Sequence, residues 1–425
     1  MTRDHVDPAR VEADLRRLVR IPSITGSEES IQAEMERLFR EIGLTTERVE
    51  TNPDAFAGDP DWPGAEMPRT TLPVVVGRLG RPGGKRILLV GHVDVVPIGD
   101  PANWTVDPWA GEVRDGRLYG RGACDMKGGV VSIVEAVRAV VSSGAAERFD
   151  GELVVVSVPS EEDGGQGMLA AIRSISPIAS GAAGDMAVIT EPTAVDGEAM
   201  EVVIAHAGAI TFTLTVPGRA AHASVRREGV SALDNLSYLV KALADDERRR
   251  NEAETDPLMT VLGLPYPTIV GMVSGGDWPS TVMDQVAAQG RYGVKLGQTW
   301  REAEADLRDA IEEACDADPF LREHRPTLEI TGGRFSSARV PGDHPLPVGL
   351  AAAAEATLGR RPNLIGVPYG ADMRLLVNEG RTPTVIFGPG DIHVAHSADE
   401  WTPLDQVVDC ARTLAVWLER ELLPA

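Results

Sequence analysis

The sequence predicts an α/β protein with a mixed, mainly parallel sheet flanked by helices and a smaller α+β domain inserted into it. Short apolar runs bounded by glycine or charge, at residues 87–90 and 153–158, are typical of buried strands and alternate with a helical pattern at residues 129–141. Around residue 202 the pattern changes, because residues 210–216 alternate between apolar and polar as half-solvated antiparallel strands do. Since the first pattern resumes later, one domain is predicted to interrupt another.

The individual elements follow from apolar periodicity. Two helices open the chain, because apolar positions recur at helical spacing over about residues 7–20 and 28–42. A segment rich in Pro, Gly and Asp, residues 52–68, predicts a surface loop. The remaining predicted elements are, in chain order, strands at 74–76 and 87–90, a helix at 129–141, strands at 153–158 and 210–216, a helix at 231–243, a strand at 285–294, a helix at 346–358, a strand at 384–387 and a helix at 404–423.

Chain length and charge restrict the number of domains and the class of partner. At 425 residues the chain exceeds the usual size of one hydrophobic core, so two domains are expected. We assign residues 1–204 and 330–425 to the larger domain and residues 205–329 to the inserted one. The net charge of −23 argues against nucleic acid and anionic membranes as partners, because both require a basic surface.

The cellular compartment is predicted from the cysteines and the apolar runs. Cys124, Cys315 and Cys410 are widely spaced and odd in number, which favours a reducing compartment. The N-terminus lacks the apolar core of a signal peptide, and no apolar run is long enough to cross a bilayer. We therefore expect a cytoplasmic protein with no membrane partner.

Polar side chains follow several predicted strands at the points where the strands end. His92 follows the strand at 87–90, and Glu161 and Glu162 follow the strand at 153–158. Because parallel strands bring their carboxyl ends to one edge of a sheet, these side chains are expected to lie close together. The candidate metal ligands are His92, Asp125, Glu162, Glu191 and either His393 or His396, between which spacing alone does not choose.

The chemistry of these candidates indicates the metal. Nitrogen and oxygen ligands without thiolate suit Zn2+, with Co2+ or Mn2+ as alternatives. Each residue by itself has an ordinary structural explanation: a histidine at a strand end is usually a hydrogen-bonded structural residue, Asp125 could cap the next helix, and residues 160–165 could form a solvated turn. The combination of motifs, and no single one of them, predicts a metal site.

The ordered motifs resemble those of the M20 family of metallopeptidases and amidohydrolases over nearly the whole chain. The motifs are HVD at 92–94, GACDMKGG at 122–129, SEED at 160–163, EPT at 191–193 and AHSADE at 395–400. The resemblance implies a catalytic domain that holds two metal ions and an inserted lid domain that closes over the substrate and usually forms the dimer. A homodimer and a cis peptide bond between Asp125 and Met126 are therefore expected.

The resemblance also implies a role for each motif residue. The residues that would bind metal are His92 and Glu191 for one ion, Glu162 and His396 for the other, and Asp125 for both. The family pattern AHxxDE selects His396. Glu161 would be the general base for a water that, as a hydroxide bridging the two ions, attacks the amide carbonyl. Asp94, two residues after His92, would accept a hydrogen bond from the second ring nitrogen.

The inserted domain and the C-terminal segment add candidates. Residues 217–224 resemble the family element whose histidine, here His222, reaches into the partner's site and stabilises the oxyanion, with a structural turn histidine as the alternative. Ser280 stands where many members have a substrate-contacting asparagine. Arg374 is a candidate to bind a substrate carboxylate, and structural pairing with Asp372 is the alternative.

These expectations combine into one predicted function. The protein is expected to be a dinuclear zinc-dependent hydrolase that cleaves the amide bond of N-acyl amino acids or related small amides. A dipeptidase or carboxypeptidase with the same centre is an alternative, and so is a non-catalytic binding relative. No arginine stands just before the lid strand, where residues 206–209 are HAGA. A second substrate carboxylate needs a cation there, so a strict desuccinylase is disfavoured.

Overall fold

Two large β-sheets organise the chain in the computed structural model, which describes residues 2–56, 58–174, 184–195 and 199–424. The helices are, in chain order, α1 (Pro8–Val19), α2 (Glu29–Glu41), α3 (Gly128–Ser142), α4 (Gln166–Ser174), α5 (Ala232–Glu252), α6 (Pro257–Thr260), α7 (Trp300–Ala317), α8 (Pro319–Glu323), α9 (Pro345–Leu358) and α10 (Leu404–Leu422). The strands are β1 (Thr45–Thr51), β2 (Leu72–Gly80), β3 (Lys85–His92), β4 (Glu112–Arg114), β5 (Arg117–Tyr119), β6 (Gly151–Val158), β7 (Met186–Ile189), β8 (Ala194–Val195), β9 (Ala199–Met200), β10 (Val202–His206), β11 (Gly208–Pro217), β12 (Thr268–Gly275), β13 (Gln285–Val294), β14 (Thr327–Phe335), β15 (Ala338–Arg339), β16 (Leu364–Val367), β17 (Thr384–Ile386) and β18 (Trp401–Pro403).

The first sheet carries the larger core. Its strand order is β1-β2-β6-β3-β7-β17-β10-β15, and β16 also pairs with β10. The central strands β6, β3, β7 and β17 run parallel, whereas β1, β2 and β15 pair antiparallel nearer the edges. Residues 87–90 and 153–156 are buried along their whole length, because helices cover the sheet. The predicted α/β class with a mixed sheet flanked by helices is confirmed.

The register of the central strands brings their carboxyl ends to one level. His92, at the end of β3, lies opposite Val158 of β6. Val90 lies opposite Ile189 of β7, and Ile189 in turn lies opposite Ile386, which ends β17. The loops after these four strands therefore leave from the same edge of the sheet, as expected for parallel strands.

The second sheet is formed by the inserted segment and is antiparallel throughout, in the order β12-β13-β11-β14. Alternate residues of β11, including Phe212 and Leu214, are buried in a second core with side chains of α5 and α7 such as Leu239 and Leu307. This one-sided burial explains the alternating sequence pattern. The proposed limit between residues 329 and 330 lies within β14; because β14 pairs with β11 in the second sheet as far as Phe335, residues 330–335 are described below with the inserted domain. The exact domain limits therefore remain a prediction.

Most predicted elements are confirmed, but the loop predicted at residues 52–68 has an additional role. Among its described residues, which exclude residue 57, the carbonyl of Pro60 accepts a hydrogen bond from Arg301. The carbonyl of Pro63 accepts one from the backbone N–H of Arg334. The loop is thus a contact with the inserted domain. A composition rich in turn residues predicts a loop but carries no information about which surface that loop meets.

The cysteines are packed inside the protein as free thiols. Cys124, Cys315 and Cys410 are buried free thiols. The sulfur of Cys124 contacts the carbonyl oxygen of Asp391 at 3.3 Å. Across the described ranges, no helix combines the length and the apolar character that crossing a membrane requires.

Close packing of α3 against the end of β7 gives the first testable prediction. A Cβ placed on Gly129 would lie 1.9 Å from the carbonyl oxygen of Thr190, the residue before Glu191. We expect Gly129→Ala to lower the free energy of unfolding by at least about 1–3 kcal/mol, because overpacking forces the helix away from the strand. Chemical denaturation measures this change. The control is Gly58→Ala, whose Cβ meets nothing within 4 Å; an equal loss in both variants contradicts the explanation.

Candidate metal centre

The candidate ligands come from the loops at one edge of the first sheet. His92 ends β3, Glu162 follows β6, Glu191 follows β7, and His396 lies in the segment after β17. Asp125 is supplied by the turn that precedes α3. All five side chains meet at this edge, because the central strands are parallel and in register. The tertiary structure thus brings together residues that are separated by up to about three hundred positions in the sequence.

Asp125 lies at the centre of the cluster. Its Oδ1 is 3.1 Å from Nε2 of His92, and its Oδ2 is 3.3 Å from Nε2 of His396. A carboxylate oxygen of Glu191 lies 3.4 Å from the same nitrogen of His92, and one of Glu162 lies 3.0 Å from that of His396. The two oxygens of one aspartate therefore face two separate histidine and glutamate pairs.

The structure distinguishes the two C-terminal histidines that spacing left open. His393 is exposed, and its Nδ1 pairs with Asp391 at 2.6 Å. His396 instead approaches Asp125 and Glu162, and its backbone has a positive φ of 59°. Non-glycine residues seldom adopt this conformation, and it directs the ring toward the carboxylates.

The electrostatics of the cluster favour a cation. Burial raises the pKa of Glu191 to about 8 and raises the pKa of Glu161 well above its usual range. At Asp125 burial acts in the same direction, but hydrogen bonds with His396 and His92 outweigh it and lower the pKa of that carboxyl. Oε1 of Glu161 is buried and has no hydrogen-bond partner among the described residues. Four buried carboxyl groups thus face two histidines.

The donor atoms also fit a metal ion. The ligand atoms of His92, Asp125 and Glu162 lie within 4.8 Å of one another, as do those of His92, Glu161 and Glu191. These are oxygen and nitrogen donors, which zinc, cobalt and manganese accept. Divalent cations would neutralise the carboxylate charge that the histidines leave uncompensated. The residues present therefore fit a metal centre.

Asp94 holds the backbone of the glutamate pair. Its Oδ1 accepts a hydrogen bond from the backbone N–H of Glu161 at 3.1 Å, and its Oδ2 accepts from Glu162 at 3.2 Å and from the hydroxyl of Thr25 at 3.0 Å. Nδ1 of His92 lies 2.9 Å from the backbone carbonyl oxygen of Asp94 and 3.5 Å from the carboxylate. The carbonyl is thus the nearer acceptor for the ring, and the carboxylate mainly positions the two glutamates.

Glu400 performs the same task for the turn that carries Asp125, and sequence reasoning gave it no role. One oxygen accepts hydrogen bonds from the backbone N–H groups of Cys124 and Asp125 at 2.9 and 3.1 Å. The other accepts from Gly122 at 3.0 Å and from the guanidinium of Arg121 at 2.6 Å. Its position as the last residue of AHSADE was the available signal. The expected cis peptide bond between Asp125 and Met126 is present.

A cavity of about 250 Å³ adjoins the carboxylates. Its walls include Ile269, Arg291 and Phe335 of the inserted domain and Tyr369 of the larger one. The guanidinium of Arg291 on β13 lies 3.4 Å from a carboxylate oxygen of Glu66, and its side chain is 44% exposed. Arg291 is a cation in the wall of the candidate site that sequence reasoning missed, because a strand pattern does not show which face meets another domain.

Arg374 lies outside the cavity beside the carboxylates. Its guanidinium is buried and donates hydrogen bonds to the backbone carbonyls of Ala371 and Gly164. The nearest atoms of Arg374 and Asp372 are 3.9 Å apart. Arg374 thus anchors the turn that follows Glu162 through the carbonyl of Gly164, a contact different from the predicted alternative of pairing with Asp372, and its role in binding a substrate carboxylate stays a prediction.

His222 and Ser280 lie together on the inserted domain. His222 is exposed, and its Nδ1 lies 2.8 Å from the hydroxyl of Ser224. The carbonyl of Ser280 accepts a hydrogen bond from the backbone N–H of Ala223 at 2.9 Å. Neither His222 nor Ser280 lines the cavity that the described residues of the same chain form around Asp125.

The sequence of this chain matches one family of known proteins over most of its length. The profile of the family described as Peptidase family M20/M25/M40 matches residues 88–420. An acetylornithine deacetylase from Photorhabdus laumondii subsp. laumondii is 27% identical over 396 residues, which cover 91% of this chain and 90% of that protein. A succinyl-diaminopimelate desuccinylase from Cereibacter sphaeroides is 32% identical over 370 residues, which cover 79% of this chain and 89% of that protein.

A solved structure gives the same fold. The M20 family metallo-carboxypeptidase Sso-CP2 from Sulfolobus solfataricus has a TM-score of 0.74 with this chain, and the two share 15% sequence identity. The match covers 95% of this chain and 97% of that one. At this identity the likeness establishes the fold alone, and the match over nearly the full length of both chains includes both sheets.

The contacts of Asp94 generate a prediction. In Asp94→Asn an NH2 group replaces one of the two oxygens that accept hydrogen bonds from the backbone of Glu161 and Glu162. One of these two backbone N–H groups then faces a donor and loses its hydrogen bond. We expect turnover or metal affinity to fall about 10- to 100-fold, the usual effect of losing a residue that orients metal ligands. Steady-state kinetics and metal analysis measure it. Asp100→Asn is the control, because Asp100 caps an exposed turn through Ala102; unchanged kinetics and metal content in Asp94→Asn contradict the assigned role.

Proposed function

The chain belongs to peptidase family M20/M25/M40, hydrolases of amide bonds, and from that premise we propose that it is a dinuclear zinc enzyme that removes the acyl group from an N-acyl amino acid or a related small amide. One observation carries the dinuclear centre: the two oxygens of Asp125 face different histidine and glutamate pairs. The named relatives, a deacetylase and a desuccinylase, support removal of an N-acyl group over cleavage of a dipeptide.

The proposed assignment of ligands follows the two pairs. One ion is held by His92 and Glu191, the other by Glu162 and His396, and Asp125 is shared. Zinc suits the nitrogen and oxygen donors, with cobalt or manganese as alternatives. When bound, the cations supply Lewis acidity, which lowers the pKa of water and polarises the amide carbonyl.

Glu161 is the proposed general base. Its carboxyl group is buried at the cavity wall, and one of its oxygens has no partner among the described residues. Burial raises the pKa of Glu161, so the group can take a proton from the attacking water and later deliver it to the leaving nitrogen. The backbone bond to Asp94 fixes the position of the residue during both transfers.

The cavity supports a small substrate with a free carboxylate. The guanidinium of Arg291 offers a fork that matches a carboxylate, and Glu66 pairs with it in the present arrangement. Ile269, Phe335 and Tyr369 provide apolar wall for a side chain. A volume of about 250 Å³ accommodates one amino acid and a short acyl group.

The inserted domain supports assembly of a homodimer. Strand β12 is an edge of the second sheet, and its side chains Ile269, Met272 and Val273 are more than half exposed. An apolar edge strand with unpaired backbone groups is suited to pairing with a second copy. In that dimer His222 and Ser280 would reach the partner's cavity, where His222 stabilises the oxyanion. This accounts for their distance from the cavity of their own chain.

Glu161→Gln tests the proposed base. We expect turnover to fall about 10²- to 10⁴-fold, because the amide cannot accept the proton of the water. Metal content by elemental analysis should stay at the level of the unmodified protein, whereas Asp125→Asn should lose both metal and turnover. Activity is measured on a panel of N-acetyl, N-succinyl, N-carbamoyl and dipeptide substrates with zinc, cobalt or manganese. Turnover in Glu161→Gln at the unmodified rate removes Glu161 as the base.

Arg291→Gln tests recognition of the substrate carboxylate. We expect kcat/KM to fall about 10- to 100-fold for substrates with a free carboxylate, which corresponds to the loss of one charged hydrogen bond. For the matching carboxamide substrates the change should be small. The control is Glu66→Gln, which frees Arg291 without removing it. An equal loss for carboxylate and carboxamide substrates contradicts direct recognition.

Hybrid dimers test the reach of His222. We expect His222→Ala to lower kcat strongly without loss of metal. A mixture of His222→Ala subunits with Glu161→Gln subunits should regain activity, because one site of the hybrid then combines an intact base with an intact histidine from its partner. Mass analysis confirms that hybrids have formed. Hybrids without any regained activity show that His222 does not act across subunits.

A further inference from the structure

A second cavity lies between the two domains. It has a volume of about 640 Å³. The inserted domain contributes Trp300, Arg301 and Arg334 to its wall, and the larger domain contributes Asp61 and Glu379. Phe335 and Arg374 connect the walls of the two cavities: Phe335 lines the cavity beside the metal centre, and the guanidinium of Arg374, which lines the second cavity, lies 3.9 Å from the centre of the Phe335 ring.

Two cations in this wall lack an acidic partner. The guanidinium groups of Arg301 and Arg334 lie 4.4 and 4.9 Å from the centre of the Trp300 ring. Across the described residues, neither has a carboxylate within ion-pairing distance: Arg301 donates to the carbonyl of Pro60, and the buried Nε of Arg334 has no acceptor. Burial and the charge of Arg301 lower the pKa of Arg334. Two like charges held over one ring repel each other, and a bound anion would reduce that repulsion.

The acids nearby are already engaged. Asp256 pairs with Arg339, and Asp61 pairs with Arg173 at 2.7 Å. Glu254 accepts a hydrogen bond from the hydroxyl of Tyr266. Burial raises the pKa of Glu379 to about 7, and its hydrogen bond with Asp61 acts in the same direction. These side chains therefore leave the two guanidinium groups on Trp300 without a counterion.

The charge of α7 does not compensate for them either. Glu304 attracts Arg334 only at a distance, because its carboxylate pairs with Arg308 at 2.7 Å. At the start of the helix, Glu302 is used by Thr299 in a capping box. The planar guanidinium groups of Arg301 and Arg334 are thus free to bind one oxyanion between them.

We propose that this interdomain cavity binds a small oxyanion, the carboxylate or phosphate-like group of a soluble metabolite, between Arg301 and Arg334. The aromatic ring keeps both forks in place, so little side-chain entropy is lost when the anion binds. The site is distinct from the cavity beside Asp125 and does not depend on metal or on the proposed hydrolysis. Because Arg301 and the backbone of Arg334 also bond the loop at Pro60 and Pro63, the anion would be held at the junction of the two domains.

Calorimetric titration of the metal-loaded protein with sulfate and with succinate, at constant ionic strength, tests the proposal. Sulfate represents a tetrahedral oxyanion and succinate a carboxylate, so the stronger response identifies the class of ligand. We expect Arg334→Gln and Arg301→Gln each to weaken one binding event at least tenfold, and Arg334→Lys to retain part of it. Either anion can also bind at the metal centre. The substitutions at Arg301 and Arg334 leave that binding event unchanged, so it is recognised because it occurs in every variant.

Arg248→Gln is the matched control, because Arg248 is an exposed arginine of the same domain that pairs with Asp245 and Glu252 outside this cavity. Thermal unfolding confirms that each variant is folded. If Arg334→Gln fails to fold, Arg301→Gln carries the test, since its side chain is exposed. The proposal is overturned if Arg301→Gln binds sulfate and succinate as tightly as the unmodified protein does. It is also overturned if neither anion binds anywhere except at the metal centre.

Discussion

The burial of several carboxylates at one edge of a parallel sheet is the constraint on which the rest of this structure depends. Asp125, Glu161, Glu162 and Glu191 converge where water is scarce, and His92 and His396 are the described residues whose side chains lie within ion-pairing distance of these carboxylates. Removing charge from water is costly unless a partner compensates for it. Divalent cations held by these residues would compensate for it and would supply Lewis acidity for a bound water or carbonyl. The buried carboxylate charge is unfavourable without metal. With metal bound, the same charge would suit the cluster to catalysis.

Two further carboxylates show how the fold holds this cluster in position. Asp94 and Glu400 direct their oxygens at backbone N–H groups, the first at Glu161 and Glu162, the second at Cys124 and Asp125. Farther out, the buried Arg69 pairs with Glu28 and with Asp163, the residue after Glu162. The loops that supply Glu162 and Asp125 are therefore fixed through their backbones by charge-assisted hydrogen bonds, which are stronger than neutral ones. Side chains fixed in this way need little reorganisation during a reaction.

The inserted domain completes the site from the opposite side. Arg291 on β13 adds a cation to a cavity lined by four carboxylate residues, and Glu66 of the loop at residues 52–68 pairs with it. The same loop accepts hydrogen bonds from the inserted domain at Pro60 and Pro63. Phe335, which lines the cavity beside the carboxylates, contacts Arg374, which lines the second cavity. In the proposed function, substrate recognition and the contact between domains would thus share residues, and the position of the inserted domain would decide which groups a substrate meets.

The sequence by itself determined the fold class, because the period of the apolar residues reports how each strand is covered: continuous runs for β3 and β6, strict alternation for β11. It also supplied the set of candidate ligands, since polar residues at the ends of parallel strands must meet at one edge. Only the tertiary structure turned the carboxylate of Asp94 toward the backbone of the glutamates, buried Arg374 among carbonyls and brought Arg291 into the cavity wall. The physical reason is that periodicity records whether a side chain is covered, whereas the identity of the covering group depends on contacts between distant segments that no local pattern encodes.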